Sequence, residues 1–167
     1  MTRTKEKNYV AIAARYAGDV VLGKILACQW TVKACQRQID DLEKAKSKDY
    51  PYRFDREKAS RICRFIELLP HIKGEWAKNG ARIELQPWQV FILTTVFGWV
   101  CRDTGLRRFK TVMIEIPRKN GKSSLSSGVG IYCLCADGEP GSDVSFTAPS
   151  NSLVAIPRVE PVPRSML

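Results

Sequence analysis

The stretch Ile114–Ser124, I-E-I-P-R-K-N-G-K-S-S, constrains this chain more than any other segment. Before it runs F-K-T-V-M-I-E-I, Phe109 to Ile116, β-branched and nearly continuously apolar, which predicts a central β-strand stopped by Pro117. After it, Lys122 to Ala136 predicts a helix. Its Ser123, Ser124, Ser126, Ser127, Gly128 and Gly130 are small enough for close packing on a sheet. A strand, a short loop, G-K-S and a helix together form a phosphate-binding arrangement. Backbone N–H groups of Asn120, Gly121, Lys122 and Ser123 can converge on a β-phosphate, and Gly121 removes the Cβ that would block their approach. Lys122 offers charge to the β- and γ-phosphates, the Ser123 hydroxyl offers a ligand for magnesium, and the helix N-terminus adds its dipole. The standard spacing G-x-x-x-x-G-K-[ST] would put a first glycine where Ile116 stands, so the competing reading is a basic loop that merely opens a helix. The flanking strand and helix favour the phosphate reading.

Upstream, residues Tyr9 to Tyr16 predict a short helix interrupted at Gly18, with Asp19 capping the next. Val21, Ile25, Cys28, Val32, Cys35, Ile39 and Leu42 then repeat at alternating spacings of four and three, one apolar stripe of a continuous amphipathic helix. A polar hinge is expected from Lys46 to Phe54. Asp55 caps a second amphipathic helix carrying Ile62, Phe65, Ile66 and Leu69 and ended by Pro70, with His71 in the loop beyond. Pro87 opens a buried helix reaching Cys101, and Asp103-Thr104-Gly105 is a turn. Asp143 to Thr147 reads as a further strand. The remainder, with Pro157, Pro161 and Pro163 and no periodicity, is expected to be disordered.

The net charge of +10 favours a polyanionic partner, although no basic run with interleaved aromatics locates a groove. No apolar run is long enough to span a membrane, and Met1 to Asn8 does not resemble a secretion signal. A cytoplasmic location is therefore expected. The six cysteines lack metal or redox spacing and read as reduced structural residues, with Cys28 and Cys35 both on the core stripe.

The loop P-R-K-N-G-K-S closely resembles the deviant Walker A loop of tailed-bacteriophage terminase large subunits, which lacks the first glycine and carries an arginine three residues before the G-K-[ST] glycine, here Arg118. L-Q-P-W-Q, Leu85 to Gln89, looks like that family's adenine-contacting element, with Gln89 favoured over Gln86. An amide can both donate to and accept from an adenine edge. Tyr16 to Trp30 is similar to the opening of one branch of these subunits. The resemblance covers about Tyr9 to Ala148.

It implies an α/β fold: a helical N-terminal region over residues 1–84, the start of an ASCE-type P-loop ATPase sheet over 85–148, and a tail over 149–167. It implies ATP and Mg2+ as ligands, held by Gln89 and by Arg118, Lys119, Asn120, Gly121, Lys122, Ser123 and Ser124. Ser123 would hold the metal, and Arg118 and Lys122 would act on the γ-phosphate. The implied partners are double-stranded viral DNA, the portal protein and the terminase small subunit, with a homo-oligomer on the portal in the host bacterial cytoplasm.

The acids after Lys122 (Asp137, Glu139, Asp143 and Glu160) do not follow an apolar strand, so no Walker B pair is evident, and the resemblance leads to the expectation that the family's nuclease domain is absent here. Ser142 to Ser150 starts like the strand this family places after the helix, yet proline-rich sequence follows where another helix should, which raises the expectation of a truncated or frameshifted frame departing near Val144 to Ser150. Downstream DNA without a terminase-like continuation in any frame would overturn it. Two alternatives stand beside the motor fragment: a non-catalytic relic, and a basic helical nucleic-acid-binding module that uses no nucleotide. A small P-loop kinase is disfavoured because more than one hundred residues precede the loop.

Overall fold

In a computed structural model, residues 7–71, 75, 79–117, 120–137, 143–146 and 155–158 are described. The chain forms two compact units, Met1–Met113 and Ile114–Leu167. The first contains helices α1 (Tyr9–Val21), α2 (Gln29–Lys44), α3 (Arg56–Leu68) and α4 (Pro87–Gly98), with strands β1 (Tyr52–Phe54) and β2 (Trp99–Cys101). The second contains α5 (Lys122–Cys135), β3 (Asp143–Phe146) and β4 (Ala155–Arg158). The described architecture is thus helical with two small antiparallel sheets, consistent with an incomplete α/β fold.

In the first unit α1 packs on α2, α3 and α4, and α3 packs on α4. Tyr9, Ala13, Ala17 and Val20 of α1 are buried, as are Ala59, Ile62, Cys63 and Ile66 of α3 and Val90, Phe91, Leu93 and Phe97 of α4. In α1 and α3 these positions recur at helical spacing, so each turns an apolar face inward, whereas α4 is apolar and buried on nearly all sides. The Asp55 cap forms as expected, its carboxylate accepting from the N–H groups of Glu57 and Lys58. Pro87 occupies the first turn of α4.

The continuous helix expected from the stripe does not form. Gly18 and Asp19 lie inside α1, and the break falls at Leu22 to Cys28, where Gly23 has φ +72°. That left-handed conformation suits glycine and interrupts the helical ladder. The apolar spacing continues across the break without marking a buried face: Leu26 is fully exposed and Cys28 is exposed. Cys28 is therefore not the core residue expected, while Cys35 is. Burial pushes the thiols of Cys35 and Cys63 up, to about 11 and about 12. The exposed Cys28 thiol is lowered by its hydrogen bond with Thr31 and by backbone N–H groups at the start of α2. Cys135 is also exposed.

The expected hinge at 46–54 instead closes into β1, which pairs antiparallel with β2 through Tyr52↔Cys101, Arg53↔Val100 and Phe54↔Trp99. Accordingly α4 ends at Gly98 rather than Cys101. Gly98 lies against Phe54, where a Cβ would come within 2.5 Å of the ring. Trp99 has no exposed surface, and its indole N–H donates to Gln38 Oε1 at 2.7 Å. Beside it the Arg108 guanidinium meets buried Asp41 at 2.7 Å and lies near the rings of Tyr50, Tyr52, Trp99 and Phe109. Asp41 also accepts from the Tyr50 hydroxyl at 2.8 Å. Arg102 donates to the carbonyls of Ala45, Ser47 and Tyr50, fixing the segment between α2 and β1.

The central strand expected at Phe109 to Ile116 is not formed. The stretch makes no ladder among the described residues, and Val112, Met113 and Ile114 are exposed. β-branched composition favours a pleated, half-buried surface, but a strand exists only when a neighbour satisfies its backbone.

In the second unit α5 spans nearly the expected range and contacts β3 and β4. Its small residues act as anticipated at Gly128 and Gly130, which are buried with Leu125, Tyr132 and Cys133. β3 agrees with the expected strand and pairs antiparallel with β4. Residues 155–158, expected to be disordered, thus form a strand despite Pro157. The rest of the expected tail and the turn at Gly138 to Gly141 lie outside the described residues. Because pairing depends on a distant partner, local composition does not reveal β4.

The Arg108–Asp41 pair yields a stability prediction. Arg108→Met leaves Asp41 buried without its cation and is expected to lower the unfolding free energy by about 3 kcal/mol. The double variant Asp41→Leu/Arg108→Met should recover much of that loss. Urea titrations followed by tryptophan fluorescence would measure both, and equal losses in the single and double variants would contradict the assignment.

Candidate phosphate-binding loop

Gly121 stands immediately before α5 as its N-cap, with φ 70° and ψ 18°. An L-residue pays steric strain in this left-handed conformation, so the glycine is required by the bend itself. The Leu125 N–H closes the first helical turn onto the Gly121 carbonyl at 3.0 Å. Lys122, Ser123 and Ser124 therefore occupy the turn whose N–H groups have no intrahelical acceptor, and all three residues are exposed. N–H groups of this kind, at the positive end of the helix dipole, suit an anion.

The Lys122 ammonium folds back over the loop and donates to the Ile116 carbonyl at 2.6 Å. Asn120 Nδ2 donates to the Pro117 carbonyl at 3.3 Å. These bonds link the two ends of the loop. They also place the lysine charge at the position where the standard spacing has its first glycine. Ser123 follows Lys122 on the exposed first turn, where its hydroxyl is accessible. Arg118 and Lys119 lie outside the described residues. Among the described residues, no group of three or more His, Cys, Asp or Glu side chains could hold a metal ion, and no helix is long and apolar enough to cross a membrane.

Gln86 and Gln89 lie in the first unit, at the start of α4. Gln86 is the N-cap, and its N–H donates to Gln89 Oε1 at 2.9 Å. The Gln89 carbonyl thus braces the helix start, leaving its NH2 group as a donor for another acceptor. Leu85, just before the cap, is buried, and its N–H donates to Glu67 Oε1 at 3.1 Å. Glu67 escaped the sequence reading because it falls within an ordinary amphipathic helix.

Comparison with known families bears on this geometry. Residues 87–152 match the family model described as terminase large subunit, ATPase domain. The stretch from the start of α4 through the glycine–lysine–serine turn and β3 is thus similar to the ATPase domain of terminase large subunits. The resemblance to the N-terminal part of terminase large subunits is borne out by that match, which also continues through Val144 to Ser150, where a departure of frame was expected. No curated protein and no solved structure matches the chain.

The Gly121 conformation gives a direct test. Gly121→Val is expected to destabilise the second unit by about 1–2 kcal/mol, and Gly121→Asn by less, because asparagine tolerates the left-handed region. Urea unfolding monitored by circular dichroism would detect the difference. Equal stability of all three proteins would contradict a left-handed residue at this position.

Proposed function

We propose that this chain is an ATPase segment of a phage DNA-packaging motor that binds Mg2+·ATP through the loop Arg118–Ser124. The observation that carries this reading is the Lys122 ammonium held across the loop, 2.6 Å from the Ile116 carbonyl, beside the left-handed Gly121 and the exposed first turn of α5. An arriving phosphate replaces that carbonyl as the lysine's partner, exchanging a neutral acceptor for a charged one and so strengthening the bond. The N–H groups of Gly121 to Ser123 supply donors, and Ser123 is the proposed magnesium ligand. Bound ATP supplies the phosphoanhydride whose cleavage drives movement. Lys122 and Arg118 are proposed to neutralise charge on the γ-phosphate as it leaves.

Lys119, Asn120 and Ser124 complete the proposed loop contacts. Gln89 is the proposed adenine contact, with Gln86 as its helix-cap partner; the Gln89 NH2 group would donate to a base acceptor. The proposed polymer is double-stranded viral DNA, gripped through its backbone without a sequence code, as suits a net charge of +10. The portal protein, the terminase small subunit, further copies of the chain and the host bacterial cytoplasm belong to the same proposal.

A second reading, nucleotide binding without turnover, is favoured by one observation: the apolar stretch 109–117 before the loop makes no ladder among the described residues. A strand that braces a phosphate loop holds it against the moving γ-phosphate, so an unbraced loop would bind better than it catalyses.

Binding of a fluorescent ATP analogue with magnesium separates these readings from a module that uses no nucleotide. Lys122→Ala is expected to weaken binding at least about tenfold, the scale of one charge-assisted hydrogen bond. Equal binding by both proteins would overturn the phosphate-loop reading. Binding without phosphate release would favour the second.

A further inference from the structure

Glu67 lies near the end of α3, with a side chain 14% exposed, and has no place in the phosphate chemistry above. Three donors from two other segments converge on its carboxylate. Lys7 approaches both oxygens, at 3.1 and 3.2 Å. The Tyr9 hydroxyl donates to Oε2 at 2.8 Å, and the Leu85 N–H donates to Oε1 at 3.1 Å. Burial, reinforced by the Glu67 carboxylate, raises the Tyr9 phenol far above its usual range, so it remains a donor at any working pH. Leu85 directly precedes Gln86, whose N–H is the one capped by Gln89. A single carboxylate therefore joins the start of α1, the end of α3 and the residue from which the glutamine turn departs.

The chain before that turn has other anchors. The Ile83 N–H donates to the Leu69 carbonyl, the His71 N–H donates to the Ala81 carbonyl, and Pro70 pairs with Arg82. These bonds hold residues 81–83 against residues 69–71, just past the end of α3, without Glu67. Among the described residues, the Glu67–Leu85 bond lies directly before the cap, so its effect reaches the placement of Gln86 and Gln89.

We infer that Glu67 is a positioning residue for base recognition: clamped by Lys7 and Tyr9, it fixes Leu85 and through it sets where the Gln89 amide meets a purine ring. This inference rests on the proposed role of Gln89. It gives the N-terminal helix a part in nucleotide selection, since Lys7 and Tyr9 hold the carboxylate that holds the turn.

The test compares affinities for Mg2+·ATP and for inorganic triphosphate, which has no base, using the full chain and a thermal melt to check folding. Glu67→Ala is expected to weaken ATP binding about tenfold while leaving triphosphate binding within about twofold, because one positioning hydrogen bond is lost. Glu67→Gln, which keeps an acceptor for the Leu85 N–H, should restore most of the ATP affinity, and Tyr9→Phe should fall between. A merely structural role would weaken both ligands in proportion to lost stability, and that outcome overturns the inference. Gln89→Ala separates the two levels. If it shifts the ATP-to-triphosphate ratio and Glu67→Ala does not, the inference alone fails. If Gln89→Ala leaves the ratio unchanged, or neither ligand binds the parent chain, the underlying reading fails and the inference with it.

Discussion

Trp99 has no exposed surface, and its indole N–H must find an acceptor inside the first unit. It finds Gln38 on α2, 61 residues earlier, at 2.7 Å. The same neighbourhood holds the Asp41–Arg108 pair and the rings of Tyr50, Tyr52 and Phe54. An indole, an amide, a carboxylate and a guanidinium packed together would be costly if any were left unpaired. Their mutual satisfaction fixes α2, the β1–β2 pair and the chain leaving β2. Through β1 and the Asp55 cap it also fixes the start of α3, where the Asp55 N–H donates to the Gly98 carbonyl at 2.7 Å. The end of α3 carries Glu67, and with it the approach to the glutamine turn.

The two elements proposed to contact a nucleotide therefore have different foundations. The glutamine turn grows from a unit with a helical core and a satisfied polar junction. The lysine loop rests on local chemistry: a left-handed glycine, the open first turn of α5 and a lysine bonded to a backbone carbonyl. Such a loop can form with few tertiary supports because the helix start supplies its own donors.

How much of this was legible in the sequence depended on the range of the interaction. The Asp55 cap, Pro87 at the start of α4 and the start of α5 at Lys122 are short-range effects, and the sequence indicated each of them. The break between α1 and α2 was missed because apolar spacing ran across it, although Gly23 offered a local signal. β1, β2 and β4 were missed, and a strand at 109–116 was overestimated, because strand formation depends on a partner that composition does not specify. Of the candidate site, the glycine–lysine–serine turn was readable from its residue types. The Lys122 bond to Ile116 and the bracing of Leu85 by Glu67 were not, since both depend on backbone atoms brought together by folding.

The central proposal is that the lysine loop holds the phosphates of a nucleotide. The direct test is a nitrogen-15 NMR titration of the full chain with Mg2+·ATP. The account predicts saturable shifts in the backbone amides of Gly121 to Ser124. Shifts spread over the basic surface and abolished by salt, with the 121–124 amides unmoved, would contradict it and leave a nucleic-acid-binding helical module in its place.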